Sequence, residues 1–120
     1  MAGQQDPMAL SVRDTSVDNT NQVVKVGSGR VYWFKLTNGG VVDAWFHFYD
    51  ALTANVTVGT TVPKLSFCVP AGASATVTAQ YEYDGIPIHF ETGIIYAATT
   101  TPTGGTDPVV KPTLGGLLYR

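Results

Sequence analysis

Apolar and polar residues alternate along much of this chain. From Arg30 to Thr37, Tyr32, Phe34 and Leu36 fall on one side, with Val31, Trp33, Lys35 and Thr37 on the other. From Asp43 to Asp50, Ala44, Phe46 and Phe48 oppose Trp45, His47 and Tyr49. A two-residue period puts alternate side chains on opposite faces of a β-strand, so both stretches are predicted strands. Between them lies Asn38-Gly39-Gly40. Asn-Gly reaches positive φ at low cost, which predicts a tight hairpin joining the two strands.

Further strands follow the same rule. Leu65, Phe67 and Val69 share a face, as do Ala75, Val77, Ala79 and Tyr81, with Ser74, Thr76, Thr78 and Gln80 opposite. Tyr83-Asp84-Gly85-Ile86 reads as a turn; after it Ile86, Ile88 and Phe90 align, then Ile94, Tyr96 and Ala98. Val23, Val24 and Val26 predict a short early strand, and Leu117 to Arg120 a short closing one. Ala51 to Asn55 reads as one helical turn. Pro63, Pro70 and Pro87 sit where a strand tolerates a missing N–H, at starts, ends or edges. Seven or eight short strands with regular turns predict an all-β fold, an antiparallel β-sandwich or jelly roll. An up-and-down β-barrel is the alternative.

Composition sharpens this reading. The chain has 120 residues and 12.7 kDa, enough for one domain with one core. It holds 15 Val, 4 Ile and 16 Thr but two Glu, a balance that favours pleated, half-buried surface over helix. Charged residues are 13% and the net charge is -2. That is too apolar and too neutral for a disordered tail. Seven Lys and Arg spread over the whole length form no basic stripe, so no nucleic-acid partner is expected. No apolar run approaches 18 residues, so no membrane partner is expected either. Met1 to Asp6 carries neither a basic stretch nor an apolar run, so no signal peptide is expected. With that, the single cysteine, Cys68, reads as a buried small hydrophobe in a protein made in a reducing cytoplasm.

Two segments break the pattern. Residues 1–20 are polar and irregular, and read as an extended N-terminal arm before a single β-domain over 21–120. Residues 100–113 are rich in Pro, Gly and Thr and read as an extended segment. Fixing about twenty residues costs on the order of 20–40 kcal/mol of backbone entropy. Neither segment has the apolar residues to offset that, so neighbouring chains are expected to hold both.

The residues offer little chemistry. His47 shares its strand face with Asp43, Trp45 and Tyr49, which predicts aromatic packing or an interface. His89 shares its face with Pro87 and Glu91 and reads as a half-exposed His–Glu pair. Glu82 and Asp84 lie on one face; paired carboxylates serve in glycoside hydrolysis, but two acids beside a turn read as a solvated edge or a weak cation site. Gly27-Ser28-Gly29 precedes a strand, so phosphate binding at a helix N-terminus is not supported. No nucleophile elbow, zinc spacing or dinucleotide fingerprint is present. The expectation is a protein with no catalytic residue, metal or cofactor. What remains is surface: low charge with outward aromatics is the composition of a protein–protein interface. The candidate interface residues are Trp33, Trp45, His47, Tyr49, Arg13 and Arg120. Stacking of sugars on Trp33 or Trp45 is the competing use.

The order of these features also resembles small β-rich virion proteins of tailed bacteriophages. The similar features are Thr37-Asn38-Gly39, Phe48-Tyr49-Asp50, Val58 to Pro63, Val69-Pro70-Ala71-Gly72, Gly85 to Ile94, and Ala98-Thr99-Thr100. They span roughly residues 23–101, and Pro87-Ile88 lengthens the Gly85–Ile94 stretch relative to those proteins. The resemblance implies a capsid decoration, or cement, protein. It would be a homotrimer on the outer surface of the virion head, with the major capsid protein as partner and no catalysis. The resemblance transfers no residue role. Another virion part, of the tail, baseplate or fibre, is the alternative, followed by a carbohydrate- or surface-binding module.

Overall fold

The computed structural model describes residues 10–72 and 79–120. Eight strands run in chain order: β1 Leu10–Asp14, β2 Gln22–Val26, β3 Gly29–Asn38, β4 Ala44–Tyr49, β5 Leu65–Val69, β6 Ala79–Phe90, β7 Gly93–Thr99 and β8 Thr113–Tyr119. One 3-10 turn, Thr53–Asn55, stands where the helical turn is expected. The strands form two four-stranded sheets, β1-β8-β3-β6 and β2-β7-β4-β5, antiparallel throughout. First pairs with last, second with seventh, third with sixth, and fourth with fifth. This is a jelly roll, a β-sandwich wound from one long hairpin.

The core lies between the sheets. Phe34 and Leu36 of β3, Phe46 and Phe48 of β4, Phe90 of β6, Ile94 and Tyr96 of β7, and Leu114 and Leu117 of β8 are buried there. Phe34 is central: its ring lies 5.2 Å from that of Phe48 and 5.1 Å from that of Phe67, both edge-on, and 5.5 Å from Tyr83, stacked. Edge-to-face and offset pairs at these distances add to the burial of aromatic area.

Several expectations change. The Asn38-Gly39-Gly40 hairpin does not form, because β3 and β4 lie in different sheets. The turn is a corner between sheets, and no non-glycine residue has positive φ among those described. Asn38 works through its side chain instead. It is buried, donates to Val42 O at 3.0 Å and Val69 O at 3.1 Å, and accepts from Gly40 N at 2.9 Å. Val31, which alternation puts on the face of Trp33 and Lys35, is buried because the register shifts between Val31 and Trp33. The turn expected at Tyr83–Ile86 is continuous strand, with a bulge that leaves Ile86 83% exposed while Ile88 and Phe90 enter the core. The strand expected from Ser74 lies outside the described residues up to Thr78 and continues as β6 from Ala79.

The arms also change character. The arm expected over 1–20 is, over its described part, integral to the domain: β1 pairs with β8, and Val17 is fully buried. Val17 N–H donates to Pro112 O at 2.9 Å and Asp18 O accepts from Ala98 N at 2.8 Å, so this stretch bridges the sheets. The 100–113 segment is held by its own chain. Pro108 and Pro112 are buried, Asn19 N donates to Asp107 Oδ1 and Asn19 Nδ2 to Gly105 O, and Lys111 pairs with Asp107 at 2.9 Å. Backbone pairing and scattered burial, which apolar periodicity does not register, offset the ordering entropy.

Candidate functional site

The two outer sheet faces differ. On the β2-β7-β4-β5 sheet, the excursion between β4 and β5 folds back over the strands. Tyr49, Ile95, Ala97 and Val56 are buried there as a second apolar cluster, with Ala51 and Val58 packed against it. His47 lies under this cover, and this corrects its reading and that of Tyr49 as interface residues: both are about 2% exposed. The β4 alternation did point them outward, but the long loop roofs that face.

His47 is tied on both ring nitrogens. Its Nδ1 lies 2.7 Å from Ser66 Oγ and its Nε2 lies 2.7 Å from Thr99 Oγ1. Thr99 Oγ1 donates to Thr101 O at 2.6 Å, so it accepts from His47 Nε2–H. Nδ1 is then left to accept from Ser66, which assigns the tautomer. Burial pushes the His47 pKa below its usual value and favours this neutral form. The relay fixes one wall of a cleft of about 200 Å³ lined by His47, Tyr49, Thr60, Thr61, Pro63 and Pro102, among others. Trp45 is half-buried on the same face, in register with Cys68 and Thr99. Cys68 is half-buried rather than buried; burial and a hydrogen bond with Asp43 push its thiol pKa up.

Among the described residues, no such cover lies on the outer face of the β1-β8-β3-β6 sheet. Trp33 lies in its middle, half-buried, with Leu118 and Asp84 as register neighbours on either side. An added Cβ on Gly116 would stand 2.8 Å from the indole Cζ3, so the ring takes its place because that residue is glycine. Trp33 Nε1–H donates to Glu82 Oε2 at 2.7 Å. Glu82 is therefore a positioning group for the indole rather than half of a carboxylate pair. Arg13 is exposed on β1 and Arg120 is exposed just past β8. His89 and Glu91, both exposed, are not within ion-pair distance. Among the described residues, no three of His, Cys, Asp and Glu gather as a metal ion would require.

Sequence reasoning missed one further surface. Val41 and Val42, after β3, meet Val109 and Val110, before β8, at one end of the sandwich. They are 75%, 63%, 92% and 49% exposed and line a groove of about 160 Å³ with Pro108, Thr100 and Asp43. The available signal was two Val-Val pairs inside Gly- and Pro-containing loops, where no strand needs them. The six expected interface residues do not converge. Trp33, Arg13 and Arg120 belong to the β1-β8-β3-β6 sheet, Trp45 to the roofed one, and His47 and Tyr49 are buried. No family model, curated protein or solved structure matches this chain.

Proposed function

We propose that this protein is a structural subunit of a virion, a decoration protein that sits on the outside of a bacteriophage head and braces neighbouring major capsid protein subunits. The observation that carries the reading is the apolar end of the sandwich. Four valines, 49–92% exposed, gather in a chain with 13% charged residues. A protein with such a patch gains by covering it with another subunit. The jelly roll supports the reading by fold-level analogy alone, since capsid and lectin domains share the winding. The phage-like order of sequence features between residues 23 and 101 supports it on the side of sequence. The sheet face around Trp33 supplies a second docking surface, which a subunit wedged between neighbours needs.

In this reading the protein is a homotrimer, made in the host cytoplasm and incorporated into the mature particle, with no catalysis. Light scattering on the purified chain and cosedimentation with mature heads test it. A trimer that binds heads and raises their melting temperature is expected. A chain that stays monomeric and leaves head stability unchanged overturns the reading. Association with tails alone would support a tail or baseplate subunit instead. One observation favours a second reading, a carbohydrate-binding module: Trp33 is half-buried on the outer face of the β1-β8-β3-β6 sheet, where an aromatic ring can stack on a sugar. Glycan binding that disappears in Trp33→Ala with the oligomeric state unchanged would support it.

A further inference from the structure

Two excursions from the β2-β7-β4-β5 sheet meet beside its outer face: residues 50–64 between β4 and β5, and residues 100–112 between β7 and β8. They touch through bare backbone. A Cβ on Gly59 would stand 2.8 Å from Gly105 Cα, and one on Gly105 would stand 2.8 Å from Val58 O. Gly59 also has a φ of 92°, which other residues rarely adopt. Each excursion is braced within itself. Thr61 N–H donates to Thr57 O at 2.8 Å, while Thr61 Oγ1 accepts from Thr57 N–H at 2.8 Å. Thr101 Oγ1 accepts from Gly104 N–H at 2.9 Å, and Thr100 N–H donates to Thr106 O at 3.0 Å. The cleft of about 200 Å³ between the excursions is therefore preformed.

His47 and Tyr49 of β4 form its floor, each about 2% exposed. Both His47 nitrogens are taken, by Ser66 and Thr99. The Tyr49 hydroxyl differs. Among the described residues nothing hydrogen-bonds it, and no buried side-chain oxygen among them is left unsatisfied, so the hydroxyl meets solvent in the cleft. Burial raises the Tyr49 pKa and keeps the phenol protonated, able both to donate and to accept. Thr60 and Thr103, both exposed, bring hydroxyls of the same dual character, and Pro63 and Pro102 bring apolar rings.

This lining selects by chemistry. An ion entering it would exchange hydration for a neutral phenol and a neutral imidazole, an unfavourable transfer. A purely apolar group would strip water from the Tyr49 hydroxyl and return no hydrogen bond. A sugar ring meets both conditions, because its hydroxyls donate and accept while its C–H faces pack on aromatic and proline rings. Drug-sized ligands fill roughly 300–1,000 Å³, so this smaller cleft suits one ring. We infer that the cleft binds a single neutral sugar residue. The inference rests neither on the virion reading nor on sugar stacking at Trp33, which belongs to the other sheet.

Its test follows amide chemical shifts of the isotopically labelled full chain during titration with glucose, galactose, mannose and N-acetylglucosamine, each free and as its methyl glycoside. Saturable shifts at Tyr49, Thr60, Thr61 and Thr103 with at least one of them are expected. Free sugar and glycoside separate a free ligand from the end residue of a glycan, and tighter binding of either supports the site. Tyr49→Phe keeps the ring and should weaken that sugar about fivefold or more. Its melting temperature should stay within about 2 °C of the wild type, since the hydroxyl bonds no described residue. Trp33→Ala should bind as the wild type does. Should Tyr49→Phe not fold, Thr60→Val is measured in its place, with weakening again expected. Unchanged spectra with every sugar overturn the inference, as do equal binding of cyclohexanol, loss of binding in Trp33→Ala, or unchanged affinity in the folded hydroxyl variant.

Discussion

At the corner after β3, one buried amide closes three hydrogen bonds that no backbone group could make from there. Asn38 holds the carbonyls of Val42 and Val69 and the N–H of Gly40, and so pins the crossing from one sheet to the other. Leaving buried partners unsatisfied costs about 1–3 kcal/mol each, so Asn38→Ala is expected to lose about 2–4 kcal/mol in urea unfolding. Asp50 does a related job at the β6–β7 turn, accepting from Glu91, Thr92 and Gly93 N–H at 2.9, 2.7 and 3.2 Å. Burial alone would raise its pKa. The three backbone donors and the charge of Lys64 outweigh it and hold the carboxylate below its usual value. Its contribution is present above the unfolded-state pKa of 3.8 and is lost as pH falls through the lower folded value. Because the group is largely solvated, Asp50→Ala is expected to cost only about 1 kcal/mol. His47 titrates in a higher window. Its folded pKa is below 6.5, so the unfolded chain takes up a proton that the folded chain resists. Stability is then full above 6.5 and declines as pH falls toward the folded value. The melting temperature should drop between about pH 7 and pH 5, and less so in His47→Gln. Equal pH profiles for the two proteins would contradict the assigned neutral state.

Among the elements, strands were legible where one face is buried and the other open. The alternation of β4 and β5 placed Phe46, Phe48, Leu65 and Phe67 inward correctly. β7 is buried on both faces, so Ile95 and Ala97, on the face opposite the aligned Ile94, Tyr96 and Ala98, are also core. β1 escaped notice because Val12 is the one residue of Leu-Ser-Val-Arg-Asp packed against the core, too little for a period to show. Pairing was not legible at all. An Asn-Gly step is a local signal, and which strand lies beside which is decided by contacts distant in sequence. The same limit hid the roof over β4. It rests on Val56 and Val58, two isolated apolar residues in a Thr-rich loop. Val56→Ser should therefore free this loop without unfolding the sandwich. Hydrogen exchange from Thr53 to Pro63 is expected to accelerate about tenfold or more while exchange in β3 and β7 stays within twofold. Uniform acceleration across the chain would show the roof to be inseparable from the core.

On the scale of the whole molecule, the jelly roll brings together what the chain disperses. Arg30, His89 and Arg120 look like scattered charges in the sequence and stand in one row in the fold. Val41, Val42, Val109 and Val110 are loop residues far apart in the chain and form one apolar end. Trp33 was legible as an outward aromatic, whereas His47 and Tyr49, with the same signature, were not separable from it until the roof was known. The apolar end also makes the virion reading specific. Replacing Val41 and Val109 together by Ser should leave the melting temperature of the free chain within about 2 °C, since both are solvent-exposed. The same double variant should weaken attachment to heads about tenfold or more. The most direct measurement is electron cryomicroscopy of mature heads incubated with the purified chain. Density of the size of a jelly-roll trimer on the outer shell, with the valine end against the capsid floor, is the expected result. Bare heads with the chain left in the supernatant would contradict it.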